Sequence, residues 1–175
     1  MMAIIENKNF VDDAWTSLEP DETALERSMI IIPFERLEEV MAQWPHGQRA
    51  LGIDLPNDIS IREIAPYLSR FDIVTLNIPG FGDGRAFSQA KSLRSSYGFG
   101  GTIRVKGNFL PDQYGFLLQC GVDSFVVSDR FSLEEWLRQA DLVPSTYQRN
   151  YAAGNDLEVR LFIEAQTWAE QPHFG

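Results

Sequence analysis

RALGIDLPNDISIREIAPYLSRFDIVTLNIP, residues 49 to 79, is the stretch whose reading decides the fold. Two runs rich in Leu, Ile and Val, 49 to 56 and 72 to 79, each end in proline, and residues 60 to 70 between them read as a helix. Strand, helix and strand within about thirty residues is the signature of a βαβ unit. The same alternation continues on either side. MIIIP (29 to 33) precedes a helix over 34 to 44, and GTIRVKG (101 to 107) lies between helices over 85 to 97 and 110 to 120. SFVVSD (124 to 129) precedes a helix over 132 to 140. The joints are short and rich in Gly, Pro, Asn and Asp. Five consecutive βα units predict an α/β fold with a parallel sheet and right-handed crossovers.

The polar positions within these strands share a parity. Asp54, Thr75, Asn77, Arg104, Lys106, Ser124 and Ser128 alternate with Ile53, Leu55, Val74, Leu76, Ile78, Ile103, Val105, Phe125 and Val127. Side chains two apart share one face of a strand, so one sheet face is apolar and the other polar. A doubly wound sheet, covered by helices on both faces, reads as apolar throughout. The expected architecture is therefore an incomplete (βα)-barrel-like sheet whose open polar face is wet or capped. The alternative is an open flavodoxin-like three-layer sheet. Residues 1 to 175 read as a single α/β domain without repeats. Residues 1 to 28 are a preface with the acidic run VDDAWTSLEPDETALE, 29 to 141 the βα core, and 142 to 175 a tail. Leu157, Leu161, Ala165 and Trp168 give that tail a helix.

With 44% apolar, 12% aromatic and 23% charged residues, 175 residues suffice for a packed core, which excludes disordered and fibrous classes. A net charge of -10 argues against nucleic acid and anionic membrane as partners. The lack of an apolar run of about 18 residues and of a basic start implies a cytoplasmic protein. One cysteine, Cys120, excludes an internal disulfide, and His46 and His173 with it make no zinc site. Cys120 lies in an apolar helix end and reads as a packing thiol. No Ser/His/Asp set or acid dyad is present in a defensible pattern.

The charge is unevenly spread. Residues 84 to 111 hold Arg85, Lys91, Arg94, Arg104 and Lys106 and no acid, a local +5, against -9 before and -6 after. Such a run suits a small anion or an acidic partner, and it also suits a solvated helix face. Asp83 immediately precedes the helix over 85 to 97, so it reads as the cap of that helix. Gly84, Arg85 and the first-turn amides read as an anion site, with Arg85, Ser88 or Gln89, and Ser92 on one polar stripe. Asp112 and Gln113 open the next helix behind Pro111, at the same carboxyl-end rim. Gly80, Gly82 and Gly84 are spaced GxGxG, not GxGxxG, so no recognisable cofactor motif is encoded.

VDDAW (11 to 15), LGIDLPND (51 to 58), FGDGRAFSQAKSLR (81 to 94) and FLPDQYGFLLQCGVDSF (109 to 125) together resemble the bacterial domain-of-unknown-function family DUF934. Its pattern F-x-DGR-x-[FY]-S-x-A-x-x-LR is met by Phe81, Asp83, Gly84, Arg85, Phe87, Ser88, Ala90, Leu93 and Arg94. Its G-x-x-L-x-DQ is met by Gly107, Leu110, Asp112 and Gln113, and its CG-[FV]-D by Cys120, Gly121, Val122 and Asp123. The family usually has other residues where Gly80 and Gly82 stand. The resemblance implies a place in sulfite reduction, since members are described as oxidoreductases of that step, with genes beside those of sulfite or nitrite reductase. The expected function is thus an accessory protein of assimilatory sulfite reduction. It would work with sulfite reductase or its electron donor and hold an oxyanion or acidic partner at a basic rim of Asp83, Gly84, Arg85, Ser88, Arg104, Asp112 and Gln113. The alternatives are a cofactor-dependent oxidoreductase of sulfur metabolism and a non-catalytic scaffold, and a polar open face also allows a homodimer.

Overall fold

A computed structural model describes residues 2–19, 28–44 and 50–142. The tail helix expected within 152 to 175, and both histidines, lie outside the described residues. In chain order the strands are β1 (Met2–Glu6), β2 (Asn9–Val11), β3 (Thr16–Ser17), β4 (Met29–Pro33), β5 (Ala50–Leu55), β6 (Ile73–Ile78), β7 (Thr102–Gly107) and β8 (Ser124–Ser128). The helices are α1 (Leu37–Gln43), α2 (Ile61–Ile64), α3 (Arg85–Ser95), α4 (Pro111–Gln119) and α5 (Leu133–Leu142). Short 3-10 turns at Phe34–Arg36 and Ala65–Arg70 precede α1 and extend α2.

All eight strands form one sheet in the order β2-β1-β8-β7-β6-β5-β4-β3. From β3 to β8 neighbours run parallel, whereas β1 lies antiparallel to both β8 and β2. The expected purely parallel sheet is therefore corrected to a mixed one. The preface, read from its sequence only as an acidic run, supplies three strands and both sheet edges. Its pieces of five, three and two residues are too short for a period to declare itself.

The connection from β2 to β3 fixes the shape. These strands are the opposite edges, about 34 Å apart along the sheet at about 4.8 Å per strand. Only Asp12–Trp15 joins them, and five Cα steps reach about 18 Å at most. A flat sheet would tear this link, so the sheet curls into a half-barrel and residues 12 to 15 form a strap across its open side.

The core lies against one face of this curl. Ile30, Ile32, Leu51, Ile53, Leu55, Val74, Leu76, Ile78, Ile103, Val105, Phe125 and Val127 join helix residues such as Val40, Ile64, Leu93, Leu117 and Trp136 in one apolar cluster. Every one of these strand residues has the apolar parity. The even two-sided packing of a flavodoxin-like sheet is not what the cluster shows. On the concave face Ile31, Gly52, Ile73 and Thr102 stand side by side in register. A Cβ on Gly52 would come within 2.3 Å of Ile73 Cγ2, so glycine lets this crowded layer close.

Candidate functional site: the concave face and its carboxyl-end lip

Two residues further along the strands, register places Pro33, Asp54, Thr75, Arg104, Ser124 and Glu6 in one row across the concave face. Arg104 organises its second half. Its Nε donates to Ser124 Oγ at 3.0 Å, NH1 to Asp13 Oδ1 and Oδ2 at 2.9 and 3.1 Å, and NH2 lies 3.4 Å from Glu6 Oε1. Asp13 belongs to the strap, so this ion pair ties the strap to the sheet. Arg104 is 3% exposed, and a guanidinium so buried requires such partners. Beside it Thr75 is 2% exposed, and its Oγ1 is buried without a hydrogen-bond partner among the described residues.

Toward the carboxyl ends, Asn77 pairs with Lys106 in register. Lys106 Nζ is 2.6 Å from Asp54 Oδ2, and Asn77 Nδ2 donates to Asp54 Oδ1 at 2.7 Å. Asp54 thus joins two neighbouring strands while remaining accessible with Lys106 from the lip.

At the lip the DGR element is a self-contained clasp. Gly84, not Asp83, occupies the N-cap of α3, and the Asp83 carboxylate reaches past it to accept the Arg85 amide at 3.1 Å. Arg85 Nε and NH2 also donate to Asp83, the latter at 2.7 Å, and Asn57 Nδ2 reaches Asp83 Oδ2 at 2.6 Å from the turn after β5. Hydrogen bonds from Arg85 hold the Asp83 carboxyl below the usual carboxylate range, and the Arg85 guanidinium is correspondingly raised. Gly80, Gly82 and Gly84 have no positive φ, and a Cβ on each would meet nothing within 4 Å, so the backbone makes no use of their lack of side chain.

Ser88 lies on the same helix and is exposed. Gln89, placed on the polar stripe by spacing, is instead buried. Its Nε2 donates to Pro56 O at 3.0 Å and Ile59 O at 2.9 Å and so pins the loop after β5. Gln113 does two things at the start of α4: its Oε1 accepts the Leu110 amide at 3.2 Å, and its Nε2 donates to Phe81 O at 3.3 Å. Asp112 is exposed in the first turn beside it. Tyr114 and Leu117 of α4 are buried in the core, while Leu118 is exposed beside Phe116.

The LR and CG-x-D motifs meet at the opposite end of the sheet. Arg94, near the end of α3, donates to the carbonyls of Phe99, Gly101 and Gly121 and pairs with Asp123, which also accepts the Ile103 amide at 2.8 Å. Gly121, with φ +89°, follows the Cys120 C-cap and stops α4. These residues staple loops and lie away from the lip. Cys120 is half-buried, and burial pushes its thiol up, opposed by the Lys91 charge. That describes a packing thiol rather than an activated one.

Four of the five charges in the local +5 are thus met by acids: Asp83 for Arg85, Asp123 for Arg94, Glu6 and Asp13 for Arg104, Asp54 for Lys106. Among the proposed site residues, Asp83, Gly84 and Arg85 come together, Gln113 braces the adjoining loop, and Arg104 sits about 10 Å down the β7 strand from its carboxyl end. Sequence reasoning missed Glu6 and Asp13 as its partners. Strand parity did mark Asp54, Thr75, Asn77, Lys106 and Ser124 as sharing a face.

Among the described residues no helix is long and apolar enough to cross a membrane. No curated protein matches the chain. A family model described as "Bacterial protein of unknown function (DUF934)" matches residues 52–157, which takes in the DGR clasp, Gln113 and the Arg94 staple. On the strength of that match over more than half its length, the chain belongs to the DUF934 family of bacterial proteins.

Proposed function

We propose that this protein is an accessory protein of assimilatory sulfite reduction, working with sulfite reductase or its electron donor, and that it takes a small oxyanion or an acidic partner at the lip of the half-barrel. The reading treats the curled sheet as an incomplete (βα) barrel of five consecutive βα units, in which ligands approach the carboxyl ends of the strands. The observation that carries the ligand class is the state of Arg85. Asp83 holds its guanidinium through Nε and NH2, while NH1 makes no hydrogen bond among the described residues and the side chain is 57% exposed. An arginine fixed by one carboxylate loses less freedom when it binds a second oxyanion. The first-turn amides of α3 lie beside it and Ser88 one turn on, with Asp112 and Gln113 on the neighbouring helix start. The pathway rests on the family likeness.

Two measurements separate these halves. Titration calorimetry with sulfite, sulfate and phosphate is expected to show binding to the native chain and none to Arg85→Ala; equal heats from both would end the oxyanion reading. A deletion strain is expected to grow on cysteine and fail on sulfate and sulfite, and growth on all three would remove the pathway.

A further inference from the structure

Beside the lip, across the carboxyl ends of β6, β7 and β8, lies a pocket of about 560 Å³, within the size range of small-molecule sites. Its walls come from three successive loops: Phe81 after β6, Gly107 to Leu110 after β7, and Ser128 to Phe131 after β8. Phe81 is 56% exposed and Leu110 is exposed, although both line a concavity. Solvent-facing aromatic surface on a braced wall needs a reason.

The walls are held in place. Gly107 has φ +118°, and a Cβ there would fall 2.2 Å from Ile78 O, so glycine lets β7 end tightly against β6. Asn108 fixes the same turn, its amide donating to Ile78 O at 2.7 Å and its Nδ2 to Pro79 O at 2.9 Å. The Gln113 amide ties Phe81 O to the start of α4. Behind the pocket, Phe109 and Phe131 pack on Trp136 with ring centroids 5.4 and 5.8 Å away.

Among the polar side chains of the lining, Arg130 is the donor without an acceptor among the described residues, and Trp136, packed behind the lining, holds a second. Arg130 is exposed and makes no ion pair among the described residues; only its backbone amide is used, on Ser128 Oγ at 3.3 Å. Trp136 is 1% exposed, and its Nε1–H has no acceptor among the described residues. The one carboxylate in the lining, Asp129, has a partner of its own.

We propose that this pocket binds a small ligand consisting of a planar aromatic or heteroaromatic ring that carries one anionic group. The ring lies against Phe81 and Phe131, and the anion is taken by Arg130. Gln113 acts as a positioning residue by holding the Phe81 wall. The inference is independent of the oxyanion reading, since Arg85 is not in the lining.

Naphthalene-1-sulfonate has both parts of this ligand, and methanesulfonate has the charge alone. The full-length Arg85→Ala chain, in which the lip does not contribute, is expected in calorimetry to bind naphthalene-1-sulfonate at one saturable site and methanesulfonate not measurably. Quenching of Trp136 fluorescence should accompany saturation and disappear in Trp136→Phe. Arg130→Ala and Phe81→Ala are expected to weaken binding about tenfold each. Both side chains are exposed, and unchanged circular dichroism would show that the variants fold. Gln113→Ala should weaken naphthalene-1-sulfonate, and Arg130→Ala added to it should weaken binding further by about the same factor as in the native chain. Native affinity in both Arg130→Ala and Phe81→Ala, or methanesulfonate binding as well as naphthalene-1-sulfonate, would overturn the assignment.

Discussion

Asp83 serves two donors of one residue with one carboxylate: the backbone amide of Arg85 on Oδ1 and its guanidinium NH2 on Oδ2. Both favour its charged form, which is why the folded chain holds it below its ordinary value of 3.8. A carboxyl with a depressed folded pKa contributes stability that is full above the unfolded value and is lost as pH falls through the folded one. Urea midpoints measured downward from pH 5 should therefore drop for the native chain below about pH 4, and less steeply for Asp83→Asn, which has no proton to take up. Identical pH slopes for the two proteins would show that the clasp does not form in solution. The same residue illustrates a limit of local reading. That Asp83 serves the start of α3 is legible from its position. That Asn57 also reaches it depends on a turn 26 positions away.

The elements were legible where each had a full period to display. The β4 to β8 strands fall within a residue or two of their expected ends, and their polar parity marks the concave row. The β1, β2 and β3 strands were not legible, because what makes them strands is their neighbours. Register of Met2–Glu6 comes from β8, more than a hundred positions later. The concave row was half legible for the same reason: Glu6 and Asp13 meet Arg104 across 98 and 91 positions. The end of β7 is the clearest element-level liability. Gly107→Ala would press a methyl onto Ile78 O in a backbone conformation that L side chains avoid, so a loss of about 2–4 kcal/mol is expected in urea unfolding. A loss near zero would mean that the turn at 107 to 108 rearranges without cost.

Across the whole molecule, the strap and the curl depend on one another. Asp13 holds the Trp15 amide at 3.0 Å and the Arg104 guanidinium at once, so it anchors both the shape of the strap and its attachment. Asp13→Ala leaves Arg104 with Glu6 at 3.4 Å and Ser124, and should cost about 1–3 kcal/mol. The Trp15 amide should then exchange with solvent faster than in the native chain. Protection that stayed the same would mean that packing alone keeps residues 12 to 15 in place.

The pairing of β1 with β8 also sets a clock. Ile4 lies opposite Val126, so a strand made among the first residues waits for one made 122 residues later. At about 5–20 residues per second of synthesis that wait is about 6–24 s. Throughout it Ile4 and Ile5, both buried in the finished fold, have no sheet to enter. A nascent chain of this kind presents Ile4 and Ile5 to whatever binds such segments at the ribosome, and the pairing of β1 is governed by the arrival of β8.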